Sequence, residues 1–232
     1  MSGIFLAFDT ETNGLLPKKI TIEPKNLHLF PHTVQLSYAL YNSTNDKLIK
    51  MRDFIIQIPS NIIISEECSK IHGITNEISQ TRGVNIMDAI DEFIQDFNGS
   101  NMIIAHNMAF DSTLIEVEIL RIIDNKTVSA SKKKYYTEFI HTLKTNKNLY
   151  CTMQESIDMC NIKAYYKDGR EYVKYPKLAE LHEHLFQSVP KNLHNSMNDV
   201  IVCLRCFYKM IFDIDVLTVN TELDILYSNL LK

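Results

Sequence analysis

The chain has 232 residues, of which 45% are hydrophobic and 22% are charged, with 6 Gly and 6 Pro. This composition is typical of a soluble globular protein with a sizeable core, and it excludes collagen-like, low-complexity and disordered chains. The odd number of Cys, 5, is unlike a secreted disulfide framework. The first apolar run is short, lacks a basic flank and is followed by acids, so we expect neither a signal peptide nor a membrane span. We therefore expect an intracellular protein, cytoplasmic or nuclear, that is not secreted and has no membrane partner.

The net charge of -4 excludes a protein that coats nucleic acid through bulk positive charge. The charge is unevenly distributed, because residues 126–191 carry a net charge of +5 and the rest of the chain carries -9. The chain therefore combines a basic segment with an acidic remainder.

Short apolar and β-branched runs predict strands in the first half of the chain. The continuous apolar run 3–8 is too short for a helix and indicates a buried strand. Residues 33–41 and 48–58 are rich in β-branched and aromatic residues, and the turn-forming segment 42–46 separates them. We predict two strands there, as antiparallel neighbours of the first, and a further strand over 102–105.

Helical periodicity begins after the predicted meander. Apolar residues recur at helical spacing over 86–97 and end at a Gly signal, Gly99. The segment 110–123 is apolar on most sides, which predicts a buried helix. The lysine-rich segment 128–147 predicts an exposed helix or loop, and it is a candidate for an insertion or a mobile lid.

The last third of the chain contains turn and helix signals. Asp168-Gly169 separates two short runs and is a strong hairpin signal. Pro176 suits the first position of a helix. An amphipathic helix is predicted over 196–212, and a small C-terminal helix over 216–231.

A few strands followed by strands that alternate with helices predict one α/β domain. Its central mixed sheet should contain an antiparallel meander and be flanked by helices. We place this domain at residues 1–212 and a helical tail, packed on the same domain, at residues 213–232.

Two carboxylates follow the first predicted strand. Asp9 and Glu11 lie two residues apart, so extended backbone points both side chains to the same face. Carboxylates held that close repel and raise each other's pKa unless a cation neutralises them, and a hard divalent ion with oxygen ligands fits that need. A polar turn that caps the strand is the alternative interpretation.

Two further acids begin predicted helices, and each has an interpretation without catalysis. Asp111 lies in a first helical turn, where an acid interacts favourably with the helix dipole. Ser196 and Asp199 match a capping box. His194 precedes Asp199 by five residues, which is a rotation of about 500° in a helix, so we expect the histidine on the loop before the helix.

Four motifs follow one another between residues 8 and 199. They are Phe8-Asp9-Thr10-Glu11-Thr12-Asn13-Gly14-Leu15, Ile71-His72-Gly73-Ile74-Thr75, Ala105-His106-Asn107-Met108-Ala109-Phe110-Asp111 and His194-Asn195-Ser196-Met197-Asn198-Asp199. Their order and spacing resemble those of the DEDD, or DnaQ-like, 3′-5′ exonucleases. The resemblance is to the DEDDh subclass, which has a histidine five residues before the last aspartate; Asn195 stands where the sister subclass has a tyrosine.

The resemblance implies a ribonuclease-H-like fold and two Mg²⁺ ions, for which Mn²⁺ should substitute. It implies that the metal ligands are the four acids Asp9, Glu11, Asp111 and Asp199, with His194 as the general base. It also implies a set of residues that bind the terminal nucleotide, with Leu15 as an apolar wedge: Thr12, Gly14, Leu15, His72, Asn107 and Phe110. The chemistry agrees, because a two-metal phosphodiester hydrolysis needs oxygen ligands and a base that works near neutral pH. Phe110 as a core residue is the alternative to a stacking role.

Two other patterns are less specific. The segment 163–177 interleaves tyrosines with lysine and arginine, which is typical of a surface that contacts phosphates and stacks bases. A hairpin with its tyrosines on the core face is the alternative. Cys203 and Cys206 lie on an apolar helical stripe without a second pair at zinc spacing, so we expect buried thiols there.

We therefore expect a metal-dependent 3′-5′ exonuclease of a proofreading or repair type. It should hydrolyse single-stranded or frayed DNA from the 3′ end and release nucleoside 5′-monophosphates. A 3′-5′ exoribonuclease is an alternative, because no motif here encodes contacts to a 2′-hydroxyl. An inactive nucleic-acid-binding or polymerase-associated module is another, although it would have no reason to keep acids that repel each other. The expected binding partner is a single-stranded 3′ end, with DNA favoured over RNA. A polymerase or a second copy of the chain is a candidate protein partner.

Overall fold

The computed structural model describes residues 2–231 of the chain. Met1 and Lys232, the outer ends of the predicted domain and tail, lie outside the described residues. In the described part of the chain, no helix combines the length and the apolar character that a membrane crossing requires.

The regular elements alternate between strands and helices after an initial meander. The strands are β1 (Ile4–Thr12), β2 (Thr33–Asn42), β3 (Lys47–Ile55), β4 (Met102–Ala105), β5 (Leu149–Cys151), β6 (Lys163–Tyr165) and β7 (Glu171–Val173). The α-helices are α1 (Glu66–His72), α2 (Asn76–Arg82), α3 (Ile86–Asn98), α4 (Met108–Asp124), α5 (Ala130–Thr145), α6 (Thr152–Glu155), α7 (Ile157–Cys160), α8 (Leu178–Phe186), α9 (Ser196–Phe212), α10 (Val216–Val219) and α11 (Thr221–Leu231). A 3-10 helix spans Pro24–Leu29.

The central sheet has five strands in the order β3-β2-β1-β4-β5. β1, β2 and β3 form an antiparallel meander, whereas β4 and β5 run parallel to β1. The predicted mixed sheet with an antiparallel meander and flanking helices is therefore confirmed. The expectation that both meander strands lie beside the first strand is correct only for β2, because β3 pairs with β2 at the edge of the sheet.

β1 is apolar over its first half because helices cover both of its faces. Phe5, Leu6, Ala7 and Phe8 are all 0% exposed. Phe8 contacts Phe93 of α3 on one face, with ring centroids 5.2 Å apart, and Phe5 packs on α9 on the other face. A strand that is buried on both faces has a continuous apolar run instead of an alternating one. Each of the large side chains stabilises the fold by about 1.5–3 kcal/mol.

The segment predicted as an exposed helix, loop or mobile lid is a packed helix. In α5, Tyr136, Phe139 and Leu143 are buried in the same core cluster as the residues of α3. Lys132 and Tyr136 each contact a carboxylate oxygen of Asp91 on α3 at 2.6 Å. The mobile-lid interpretation is wrong, because the lysines cover only the outer side of a helix whose inner stripe is apolar. The prediction of a helix with an exposed face is confirmed, and the insertion stays a prediction.

Two short helices that were not predicted, α1 and α2, lie between β3 and α3. Ser65 is the N-cap of α1 and accepts from the backbone of Cys68, and Thr75 is the N-cap of α2 and accepts from the backbone of Ile78. Both helices also have acids in their first turns. These capping signals were visible in the sequence, but each helix has only seven residues and therefore a weak apolar period.

The C-terminal helices pack on the sheet through α9. Val216, Leu223 and Tyr227 are buried in the cluster that α9 forms with β1 and β2. The segment 216–231 therefore contains two helices, α10 and α11, instead of one. Pro176 is not the first residue of a helix, because the N-cap of α8 is Lys177. The division into a domain over 1–212 and a tail over 213–232 stays a prediction.

The two cysteines of the C-x-x-C pattern lie inside the core. Cys203 is 1% exposed and Cys206 is 0% exposed, and both belong to the core cluster that α9 forms with the sheet and the neighbouring helices. Burial raises the pKa of both thiols. The prediction of buried thiols is confirmed.

Candidate active site

The first acidic pair lies within β1 and not after it. β1 extends to Thr12, whereas its parallel pairing with β4 ends at Ala7. The second half of β1 therefore projects beyond its neighbour. Asp9 and Glu11 alternate with Thr10, so the two carboxylates lie on the same face of the strand.

The N-terminal turn of α4 occupies the place that β4 leaves empty beside β1. Asp111 is 2% exposed, and its Oδ1 accepts from the backbone N of Thr10 at 3.0 Å and from its hydroxyl at 2.6 Å. The third acid is thus fixed to the residue between the first two. The helix dipole alone does not explain this position. The carboxylate also accepts the hydrogen bond from the backbone N of Thr10, which has no partner on β4.

The fourth acid lies in the first turn of α9. Asn195 is the N-cap of this helix, and Ser196 is its first residue. The hydroxyl of Ser196 donates to the carbonyl oxygen of Asp9 at 2.7 Å. The capping-box interpretation of Ser196 and Asp199 is therefore wrong, because Ser196 links α9 to β1 and Asp199 accepts from the backbone N of His194, 3.3 Å from each oxygen.

These elements bring three carboxylates together. One oxygen from each of Asp9, Glu11 and Asp199 lies within 4.8 Å of the others, and all three residues are half-buried. In residues 2–231 this is the one group of three or more acid, His or Cys side chains with that spacing. Asp111 lies outside the group of three but is near enough to raise the pKa of both Asp9 and Glu11.

Burial and mutual repulsion keep these acids protonated to unusually high pH. Burial, followed by repulsion from Asp199 and Asp111, raises the pKa of Glu11 to about 8. Burial raises the pKa of Asp199 to about 7, and that of Asp111 also to about 7 although Thr10 donates to it. The pKa of Asp9 is raised well above its ordinary value by burial first and by the other acids second.

No countercharge lies within the cluster. Across the described residues, no Lys, Arg or His side chain forms an ion pair with any of the four acids. Four carboxylates that repel each other in a partly dry site need positive charge from elsewhere. The donor set consists of oxygens, which hard divalent cations prefer.

A glutamine that was not predicted as a site residue lies beside the cluster on β2. Gln35 of β2 is paired directly with Glu11 and is 2% exposed. Its Oε1 accepts from the backbone N of Ser196 at 3.3 Å, and its Nε2 donates to Asp53 at 2.7 Å. The hydroxyl of Ser37 donates to the same Asp53 oxygen at 2.8 Å. The sequence did offer a signal for Gln35, because a glutamine flanked by apolar residues in a buried strand is unusual.

His194 lies on the loop that precedes α9, as predicted. It is exposed and has a positive φ of 68°. The amide of Asn198 donates to the carbonyl oxygen of Asn192 at 2.8 Å, and the amide of Asn192 donates to that of Leu230 at 2.9 Å. The loop is therefore anchored at Asn192, whereas the imidazole of His194 faces solvent.

The second motif lies near the end of β1. His72 ends α1 and is 6% exposed, and Gly73 follows with a φ of 78°, which favours glycine. Burial lowers the pKa of His72 more than the backbone of Thr12 raises it, so its ring is neutral at pH 7. His72, Gly73 and His194 line one cleft of about 640 Å³.

The remaining predicted substrate residues lie near the C-terminal end of β1 and the N-terminal end of α4. The hydroxyl of Thr12 donates to the carbonyl oxygen of Gly14, and the side chain of Leu15 is 90% exposed. Asn107 is the N-cap of α4 in a left-handed conformation, and Phe110 is half-buried in the first turn of the same helix. None of these five residues lines the cleft beside His194.

Solved structures of exonuclease I superimpose on nearly all of this chain. E. coli exonuclease I in complex with a dA16 oligonucleotide is 15% identical, with a TM-score of 0.56 over 90% of this chain and 41% of that chain. The zinc-bound E. coli exonuclease I–ssDNA complex is 15% identical, with a TM-score of 0.56 over 91% of this chain and 41% of that chain. Exonuclease I from Methylocaldum szegediense is 12% identical, with a TM-score of 0.57 over 92% of this chain and 42% of that chain. The chain has the fold of the part of exonuclease I that it matches.

The implied ribonuclease-H-like fold is thereby confirmed. The chain spans about two-fifths of the length of these exonuclease I structures. No protein-family model and no curated protein matches the sequence. An identity of 12–15% establishes the fold, so the activity of this chain has to be argued from its own residues.

Proposed function

We propose that the chain is a metal-dependent 3′-5′ exonuclease that hydrolyses single-stranded or frayed DNA from its 3′ end. The observation that carries this proposal is the cluster of Asp9, Glu11 and Asp199, whose oxygens lie within 4.8 Å of each other without a countercharge. The exonuclease I structures with the same fold include complexes with DNA oligonucleotides, which supports DNA as the substrate class.

The four acids fit two divalent cations, Mg²⁺ or Mn²⁺. Asp9, Glu11 and Asp199 offer close carboxylate oxygens. Both hydrogen bonds from Thr10 go to Oδ1 of Asp111, which leaves Oδ2 for a cation. When bound, the ions would activate water and stabilise the charge that develops on the phosphate and on the leaving oxygen.

His194 is the proposed general base. Its imidazole is exposed on a loop whose backbone is fixed to Asp199, so it lies beside the cluster and is accessible to substrate. It takes the proton of the attacking water as the new O–P bond forms. The P–O3′ bond then breaks, which releases a nucleoside 5′-monophosphate, and the 3′-oxygen of the shortened strand takes a proton from solvent.

The terminal nucleotide would lie between the end of β1 and the start of α4. The 90% exposed side chain of Leu15 suits an apolar wedge against the last base, and Phe110 offers a half-buried ring. Thr12, Gly14, His72 and Asn107 complete the proposed nucleotide site. An intracellular location, and a polymerase or a second copy of the chain as a partner, stay predictions.

The test is time-resolved digestion of matched single-stranded DNA and RNA labelled at the 5′ end, in Mg²⁺, in Mn²⁺ and in EDTA. We expect a ladder that shortens from the 3′ end, that is lost in EDTA and that is absent with Asp9→Ala. Glu138→Ala, which removes an exposed acid from α5, is the matched control and should digest like the parent. The faster substrate decides between DNA and RNA. A metal-dependent gel shift without any ladder would refute the exonuclease and favour an inactive binding module.

A further inference from the structure

A small hairpin stands apart from the central sheet. β6 and β7 pair only with each other, as a separate two-stranded antiparallel sheet. The turn between them is closed by the backbone N of Tyr166, which donates to the carbonyl oxygen of Arg170 at 2.9 Å, and it contains Gly169 at a φ of 85°. Every residue of the two strands is exposed except the half-buried Ala164.

The two faces of this hairpin differ. On one face, the rings of Tyr166 and Tyr172 lie with centroids 4.4 Å apart, and the guanidinium carbon of Arg170 lies 5.2 Å from the centroid of Tyr166. On the other face, Tyr165 donates to Glu171 at 3.3 Å, and Glu171 is paired with Lys163 at 2.9 Å. The first face therefore presents three planar groups close together, those of Tyr166, Tyr172 and Arg170, and we call it the stacking face.

Core packing does not explain these tyrosines. Tyr166 is 51% exposed and Tyr172 is 38% exposed, and within the described residues neither belongs to a hydrophobic core cluster. The interpretation that places the tyrosines on a core face is therefore wrong. Contiguous exposed aromatic surface is typical of a binding site.

The charge of the hairpin indicates the kind of partner. Residues 163–177 contain five basic and two acidic residues in a chain whose net charge is -4. Lys163 and Arg170 form ion pairs within the hairpin, whereas Lys167 at its tip has no ion pair within the described residues. Exposed aromatic rings within a positive surface fit single-stranded nucleic acid, because bases stack on the rings and phosphates are attracted to the lysines.

The base of the hairpin is fixed beside the proposed active site. Nε2 of His106 lies 3.1 Å from the carbonyl oxygen of Pro176, and Nδ1 lies 2.9 Å from the hydroxyl of Thr152. Burial lowers the pKa of His106 to about 4, so the neutral ring donates from Nε2 and accepts at Nδ1. His106 directly precedes Asn107 and therefore connects the hairpin to the start of α4.

We propose that the stacking face of Tyr166, Tyr172 and Arg170 binds the bases of the single strand upstream of its 3′ end. This inference rests on the proposed function and deepens it, because it assigns a second contact region to the same substrate. The hairpin binds and orients the strand and does not contact the scissile bond. Its contribution therefore applies only to strands long enough to reach from the carboxylates to the hairpin.

The test uses the full chain and a series of oligothymidylates that lengthens in single-nucleotide steps from the dinucleotide. Tyr166→Ala should raise KM on the long members about fivefold or more, since one base–aromatic stack is lost, and leave kcat and the KM of the shortest members unchanged. Tyr166→Phe, which keeps the ring, should restore the parent KM. The matched control is Tyr165→Ala, which removes a tyrosine that is 67% exposed on the opposite face and should leave every KM unchanged.

An unchanged KM for Tyr166→Ala on long strands, or an equal rise for Tyr165→Ala, would overturn the proposal. A docking site for a protein partner would also give the first of these results. The affinity for a long 5′-fluorescent oligothymidylate is measured separately in the Asp9→Ala background, where turnover is absent. Loss of affinity on adding Tyr166→Ala there supports the hairpin even if the parent chain shows no exonuclease activity, so the two proposals fail independently.

Discussion

The carboxylate cluster and the tyrosine hairpin differ in how the fold holds them. The acids come from β1, α4 and α9. Asp111 of α4 accepts from Thr10 of β1, Ser196 of α9 donates to the backbone carbonyl of Asp9, and Asp199 accepts from the backbone N of His194 on the loop before α9. The hairpin belongs to no larger sheet. At its base, His106 contacts the carbonyl oxygen of Pro176, and Lys174 forms an ion pair with Glu180 of α8. Chemistry at a phosphate needs groups held in a precise geometry, whereas binding a flexible strand needs exposed area and charge.

The two regions also differ in their effect on stability. Burial raises the pKa of all four acids, and repulsion raises it further for Asp9, Glu11 and Asp111, so these carboxylates oppose folding above neutral pH when no cation is bound. The hairpin carries its charges at the surface, where ion pairs such as Arg170–Asp168 contribute little in either direction. Substitutions should therefore change activity and stability in opposite directions at the cluster, and change mainly binding at the hairpin.

The largest effect is expected for Asp9→Ala. Turnover should be abolished, because a central metal ligand is lost, while the melting temperature in EDTA stays equal to that of the parent or rises, because repulsion is removed. Digestion assays and thermal unfolding measure the two quantities on the same preparation. A large fall in the melting temperature in EDTA would show that Asp9 has a structural role instead.

His194→Ala should lower kcat by about 100-fold or more, since a general base contributes that much to the rate. Its affinity for Mn²⁺ should change little, because His194 lies on the exposed loop and outside the group of close carboxylates. Calorimetric titration with Mn²⁺ beside steady-state kinetics checks both. An equal loss of metal binding would contradict the role of base.

Gln35→Leu should lower kcat by about tenfold with little change in KM, because the link that Gln35 forms between Ser196 and Asp53, beside Glu11, is broken. It should also cost about 1–3 kcal/mol of stability, since a buried donor and acceptor lose their partner. Ser37→Ala is the control, because it removes the other hydrogen bond to Asp53 without touching Ser196. If both variants lose the same fraction of kcat, Gln35 does not position the site.

The stability of the metal-free protein should fall as the pH rises from about 5 to about 8. The folded pKa values of about 8 for Glu11 and about 7 for Asp111 and Asp199 exceed the ordinary values of 4.5 and 3.8. The folded state therefore binds more protons, and the stabilisation present at low pH is lost as the pH passes these values. Thermal unfolding in EDTA across this range should show a smaller decline for Asp9→Ala, and Mg²⁺ should raise the melting temperature more at pH 8 than at pH 5. Equal slopes for parent and variant would contradict the coupling among the acids.

The smallest effect is expected at the hairpin. Reversing Lys167, Arg170 and Lys174 to Glu should weaken binding of single-stranded DNA several-fold and flatten its dependence on salt, since fewer counterions are released. The melting temperature should fall slightly, because Lys174→Glu replaces the half-buried ion pair with Glu180 of α8 by two like charges. Binding isotherms at a series of salt concentrations provide the slope, and an unchanged slope would show that these side chains do not contact phosphate.

The sequence alone predicted the elements whose local pattern is strong. The apolar run 3–8 predicted a buried strand, the periodicity of 196–212 predicted α9, and Asp168-Gly169 predicted the hairpin. The order of the motifs predicted the fold, which the exonuclease I structures confirm. In each case the signal lies in adjacent residues or in a fixed order of short motifs, both of which can be detected without knowledge of the packing.

Only the tertiary structure decided how distant segments meet. It showed that α5 packs on the core, that Ser196 donates to the carbonyl oxygen of Asp9, and that Gln35 lies beside Glu11 on the neighbouring strand. Ser196 and Asp9 are 187 positions apart, and Gln35 and Ser196 are 161 positions apart. Contacts at such separations depend on the order of strands in the sheet and on which helix covers each face, and local periodicity carries no information about either.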